Sequence, residues 1–364
     1  MSHSLLFIPD ISGYTNFIQT TEVEHSQHVI SELLEILIDA NISGFELAEI
    51  EGDALFFYKE NEVISSEMLL AQAETMFTAF YSHLKLLETN RICPCKACAS
   101  APALKLKIIS HCGELQFISV KGTRKPFGAE VIEVHRLMKN SVPGDNYLLI
   151  SKNLETGLGL PENYKSKLFE FVEASDHYDG KDVFYSYSFL DPDKLNLKTV
   201  AQIKDPGMGR EHNIKLGKEM PVSAHQLYEY LSNYRYRKYY SDGVDEIIYD
   251  ESEVSRVGSE HKCVIKGSDL DFVTITKKAE PGQLVYGEYT TSPAPVDELF
   301  QYFIISPIDE NRCLLELEVY WTTHSIFKKL IMATVGKFGF KKNVNKTFNK
   351  LEEFVRDPEK AMAG

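Results

Sequence analysis

The stretch Leu5-Leu6-Phe7-Ile8-Pro9-Asp10-Ile11-Ser12-Gly13-Tyr14 limits the folds open to this chain more than any other. An apolar run ends in a carboxylate, a glycine-containing turn follows, and the next residues read as the start of a helix. Short apolar runs bounded by turn signals suit a buried strand. Gly13 allows a tight turn, and the helix start behind it offers free N–H groups that can hold a phosphate. The reading is a strand–turn–helix in which Ile11, Ser12, Gly13 and Tyr14 form a phosphate loop. Asp10, at the strand end, is then placed to carry a divalent cation, with a solvated or capping aspartate as the alternative.

A second carboxylate comes from Phe45 to Tyr58, where two strand-like runs flank Glu51-Gly52-Asp53 and predict a hairpin. If that hairpin lies beside the first strand, Asp10 and Asp53 meet at one sheet edge. Two carboxylates there can bridge Mg²⁺ or Mn²⁺ over a polyphosphate.

These blocks resemble a family, the class III nucleotidyl cyclases. Phe7-Ile8-Pro9-Asp10-Ile11-Ser12-Gly13-Tyr14-Thr15 is similar to its F-x-D-I-x-G-F-T, and Asp53 falls where the family has a second metal aspartate. Ser110-His111-Cys112-Gly113 looks like the strand motif H-x-G, and Gly128 through Arg136 is similar to G-x-x-V-N-x-A-x-R. The resemblance implies an α+β, ferredoxin-like nucleotide-cyclase domain over residues 1–190 that takes a nucleoside triphosphate. It implies metal on Asp10 and Asp53, and Arg136 in the catalytic position, stabilising charge on the transferred phosphate. The family's partner asparagine is Ile132 here, which cannot hydrogen-bond. Losing one such donor commonly costs about 10²–10³ in rate, so a degenerate domain with weak or no turnover is expected. The family's base-reading positions are Glu49 and Lys125, a pair that complements the guanine edge. An active, guanine-preferring cyclase is the alternative. Because the family builds its site from two domains and this chain has one, a homodimer is expected.

The formal net charge of −14 argues against a general nucleic-acid binder. No evident signal peptide, no run long enough to cross a bilayer and a sparse set of six cysteines suggest a cytoplasmic protein without stable membrane insertion. Turn and breaker residues between Asp191 and Arg210 mark a linker, placed at 191–211. Beyond it, 212–358 reads as strand, short helix capped by Ser223, a run of alternating strands, and a long helix over Ser325–Arg356. Leu330, Val335, Phe338, Val344, Phe348, Leu351 and Val355 are expected on that helix's apolar side. This order resembles the START-like superfamily (SRPBCC, with the polyketide cyclases), a helix-grip fold. The resemblance implies a cavity for an apolar small molecule and a sensor or regulator role for the whole chain.

Two features remain. Cys93, Cys95 and Cys98 can coordinate zinc, but a closed site needs a fourth ligand, for which His111 or Cys112 is the candidate. Paired, redox-active or free thiols are the alternatives. Lys328, Lys329, Lys337, Lys341, Lys342, Lys346 and Lys350 read as the solvated face of the final helix, although a basic amphipathic helix can also touch an anionic membrane.

Overall fold

The computed structural model describes residues 3–161, 164–178, 180–198, 211–241, 243–250, 255–265, 267–291, 293, 295–332 and 336–363. They form two compact units, one of residues 1–88 with 96–200 and one of 201–364 with the short stretch 89–95. Most of the linker expected at 191–211, namely 199–210, lies outside the described residues.

The first unit runs β1 (Ser4–Ser12), α1 (Tyr14–Thr20), α2 (Val23–Asp39), β2 (Glu46–Glu51), β3 (Ala54–Lys59), α3 (Ser66–Thr89), α4 (Lys96–Ser100) and β4 (Lys105–Gly113). It continues through β5 (Gln116–Val120), β6 (Thr123–Phe127), α5 (Ala129–Leu137), β7 (Tyr147–Ser151), α6 (Lys152–Leu158), β8 (Val172–Tyr178) and β9 (Lys181–Phe189). Seven of these strands make one sheet, ordered β2-β3-β1-β4-β7-β9-β8, while β5 and β6 pair separately as a ribbon. Among the described residues, only β4 and β7 pair in parallel; β1 lies antiparallel between β3 and β4.

Strand β1 is central because Leu5, Leu6, Phe7 and Ile8 are all fully buried. Each such side chain contributes about 1.5–3 kcal/mol by leaving water, so the strand has no competing exposed arrangement. Leu6 and Ile8 pack with Phe56, Ile109, Val134, Leu137 and Leu149 on one face. That face seats α5 over the sheet, near the end of β1 that carries Asp10. The motif from Gly128 through Arg136 is carried by α5, which begins after Phe127 has closed the β5–β6 ribbon.

The second unit has β10 (Ile214–Met220), α7 (Ala224–Ser232), α8 (Arg237–Tyr240), β11 (Glu246–Tyr249), β12 (Glu260–Ile265), β13 (Ser268–Ile275) and β14 (Leu284–Thr291). Then follow β15 (Glu298–Asp309), β16 (Arg312–Thr322), α9 (Ile326–Ile331), α10 (Lys337–Arg356) and α11 (Pro358–Ala363). The strands form an antiparallel sheet ordered β10-β16-β15-β14-β13-β12-β11. Ser223 caps α7 by accepting from the Gln226 N–H at 3.2 Å, as its sequence position predicts.

Within the span Ser325–Arg356 expected as the final helix, the described residues form α9 and α10; residues 333–335, with the expected apolar position Val335, lie outside the described residues. Val344, Phe348, Leu351 and Val355 do face the core, but Leu330 and Phe338 are exposed. Apolar character at helical spacing fixes a shared face, and it does not fix whether that face is buried.

Candidate functional site

Asp10 sits on β1 directly across from Lys107 of β4, and its Oδ2 lies 3.0 Å from the Lys107 Nζ. Asp53 stands in the turn between β2 and β3, where its carbonyl accepts from the Ile11 N–H at 3.0 Å. That backbone bond ties the hairpin turn to the strand carrying Asp10, so the two aspartates come to one sheet edge as the sequence suggests. Burial first, and then the Asp10 charge, push the Asp53 carboxyl above the usual range, against the pull of a backbone hydrogen bond and Lys107. Two neighbouring carboxylates make a hard-oxygen donor set, shared in this state with the Lys107 ammonium. That chemistry fits Mg²⁺ or Mn²⁺.

The turn after β1 has its glycine where the backbone requires one. Gly13 takes φ +92°, left-handed, immediately before α1. Ile11 is buried, Ser12 is half-buried with an Oγ that has no hydrogen-bond partner, and Tyr14 opens the helix.

Above this edge lies a groove of about 670 Å³, whose lining includes Asp10, Lys107, Ile132, His135, Arg136 and Lys139. Arg136 and Ile132 share α5, so the structure brings Asp10 and Arg136 to one groove within a single chain. Ile132 is exposed there, an apolar side chain facing a charged groove. Helix α5 is fixed by two histidine–carboxylate contacts. His111 of β4 reaches Glu130 at 2.7 Å, and His135 reaches both Glu51 oxygens at 3.0 Å. Gly113 makes the first contact possible: a Cβ there would lie 2.3 Å from Glu130 Oε2. The histidine-x-glycine spacing thus has a local packing cause. The His111 hydrogen bond is the main reason the Glu130 carboxyl titrates below its usual range.

Glu49 and Lys125 are also brought together, but onto one another: Oε2 and Nζ are 2.9 Å apart, both side chains partly exposed. Glu49 follows a register irregularity in β2, and Lys125 belongs to the β5–β6 ribbon.

The cysteine stretch gains its fourth ligand from elsewhere than expected. His25, Cys93, Cys95 and Cys98 present ligand atoms within 4.8 Å of one another, a group able to hold a metal ion. The cysteines fall within six consecutive residues, so chain continuity sets their spacing. His25, in the first turn of α2, places Nδ1 at 3.6 Å from Cys98 Sγ, and the Cys95 N–H donates to Cys93 Sγ at 3.4 Å. The sequence candidates are corrected: His111 is committed to Ser151 and Glu130, and Cys112 is buried in β4 with its thiol pushed up to about 11 by burial.

Sequence reasoning missed Lys107, His135 and His25. Lys107 becomes visible only through cross-strand register, and His25 lies far from the cysteines in the chain. His135 could have been found, since it follows Val131 by one helical turn beside Arg136.

A family profile described as "Protein of unknown function (DUF2652)" matches residues 30–147. "Uncharacterized protein Rv2561/Rv2562" of Mycobacterium tuberculosis is 34% identical over 122 residues, 34% of this chain. The match covers 57% of that relative's own length. Similar solved structures are catalytic domains of adenylyl and guanylyl cyclases, and they cover about half of the chain. The adenylyl cyclase CyaB from P. aeruginosa is 16% identical, with a TM-score of 0.39 over 52% of this chain and 94% of that one. The guanylate cyclase domain of RhGC from Catenaria anguillulae, in complex with GTP, is 14% identical, with a TM-score of 0.37 over 52% of this chain and 98% of that one. Likeness at this level carries no functional argument.

Proposed function

We propose that the first unit is a cyclase-like domain that binds a nucleoside triphosphate with a divalent cation and turns it over weakly or not at all. The observation that carries this reading is the convergence of Asp10 and Asp53 at a sheet edge under the groove that holds Arg136 and Ile132. Asp10 and Asp53 would hold the cation, which supplies charge neutralisation of a polyphosphate and activation of a hydroxyl. Arg136 orients and neutralises phosphate oxygens. Ile132 offers no hydrogen bond to the transition state, which supports low turnover. Glu49 and Lys125 read a guanine edge once their mutual ion pair opens. Asp10 and Arg136 already share one groove within a single chain, and a homodimer would bring the aspartates of each copy opposite a second Arg136.

Calorimetry with Mn²⁺ and GTP tests this reading. Each ligand should bind more tightly in the presence of the other, and Asp10→Ala or Asp53→Ala should abolish the coupling. Absence of any metal-dependent nucleotide binding refutes it. Brisk cyclic GMP formation by the unaltered chain would instead support the active, guanine-preferring cyclase. Ile132→Asn should raise whatever cyclisation exists.

The second unit fits a START-like ligand module by its order of elements, with an apolar small molecule as its ligand and regulation of the first unit as its role. At the cysteine stretch, the thiolate-rich donor set suits a structural zinc on His25, Cys93, Cys95 and Cys98. Zn–S bonds of about 2.3 Å need only a modest closing of the group.

A further inference from the structure

Between Glu318 and Glu352 the chain carries the seven lysines named above and no acidic residue, in a protein of net charge −14. In the same stretch, on either side of residues 333–335, large apolar side chains point outward. Ile326 and Phe327 are 81% and 80% exposed, Leu330 64% and Phe338 74%. Ile331 joins them at 48%. Solvated helix faces carry lysine, and they do not usually carry a cluster of phenylalanine, isoleucine and leucine. Helix α10 already buries its own apolar face through Val344, Phe348, Leu351 and Val355, so the outward residues are surplus to the core.

From this we infer that α9 and the start of α10 form a docking surface for an anionic lipid membrane. Charge complementarity selects the occupant. A surface that is both basic and apolar matches the boundary between anionic headgroups and acyl chains, where lysine stems lie along the apolar layer and their ammonium groups reach phosphate. A second copy meeting this face by two-fold symmetry would set lysines against lysines. Beside the apolar cluster lies a recess of about 560 Å³ whose lining includes Asn213, Trp321, His324, Lys329 and Lys337. Its cationic and hydrogen-bonding groups suit a phosphate headgroup. Helices of this kind lie in the interface plane; among the described residues no helix is long and apolar enough to cross a membrane.

The test is co-sedimentation of the full chain with phosphatidylcholine vesicles, with and without phosphatidylserine. The chain should pellet with the anionic vesicles, remain in solution with the neutral ones, and be released by high salt. Phe327→Ser with Phe338→Ser should weaken binding by about tenfold or more, as should Lys341→Glu with Lys342→Glu. All four side chains are exposed, so the thermal midpoint should stay put. Equal binding to neutral and anionic vesicles, or binding unchanged in both double variants, overturns the inference. So does failure to pellet with either vesicle. If the protein alone self-associates and Phe327→Ser with Phe338→Ser abolishes this without any vesicle binding, the face joins two copies and the membrane assignment falls.

Discussion

Lys107 occupies the carboxylate that a divalent cation would need, and its removal has a calculable effect. The ammonium lies 3.0 Å from Asp10 Oδ2. A Mg²⁺ or Mn²⁺ ion bound to that oxygen at about 2.1 Å would stand no more than about 5 Å from the ammonium. Even with the screening of bulk water, a double and a single positive charge at ~5 Å repel by ~1.7 kcal/mol, roughly a 15-fold loss of metal affinity. Asp10 and Lys107 are both largely shielded, so the true repulsion is larger, and Lys107 must swing aside for metal to enter. Lys107→Met keeps the apolar stem and removes the charge; Lys107→Arg keeps the charge. Titration of Mn²⁺ against each protein, read from the resonance signal of free aqueous Mn²⁺, should show Lys107→Met binding at least about tenfold more tightly than wild type and Lys107→Arg no better than wild type. Equal affinity in all three would refute the reasoning while leaving the nucleotide reading to its own test. Metal binding by Lys107→Met alone would mean that the wild-type site is held shut by its own lysine.

Two further outcomes are expected. Burial lowers the His261 imidazole from its ordinary 6.5 to about 4, a shift opposed by Glu288 and reinforced by Arg237. The unfolded chain therefore binds the extra proton first, and stability present above pH ~6.5 should fall as pH drops towards ~4, by on the order of 3 kcal/mol in total. Denaturant unfolding across that window checks the slope, and His261→Phe should flatten it. At the cysteine stretch, Co²⁺ should give the visible absorption of a tetrahedral thiolate site, and His25→Ala should change its spectrum and weaken metal retention; an unchanged spectrum would remove His25 from the ligand set.

The sequence reading succeeded where a single side of the chain decides the outcome. Strand β1 and strand β3 of the hairpin announce themselves because their apolar residues are buried together, and the Glu51-Gly52-Asp53 turn marks the hairpin that joins β2 to β3. Strand β8 did not, since Val172–Tyr178 forms a sheet edge whose residues are mostly exposed and polar. Asp10 and Asp53 were legible from turn signals next to apolar runs. The Asp10–Lys107 pair was not, because register across two strands is set by the whole sheet and leaves no local mark. Leu330 and Phe338 show the opposite failure. They were expected on the buried side with Val344, Phe348, Leu351 and Val355 but are exposed, because apolar character alone does not say whether protein, lipid or water lies against a residue.

Helix α5 is anchored at its first turn by His111 to Glu130 and at its last by His135 to Glu51. Ile132 and Arg136 lie between or beside these anchors, one turn apart, on what amounts to a clamped bar. Neither residue can be retracted from the groove by a local rotation of the helix, so any adjustment to a ligand must come from side-chain rotamers or from the sheet as a whole. A chain built this way can gain or lose chemistry at position 132 by a single substitution without rebuilding the scaffold that presents it.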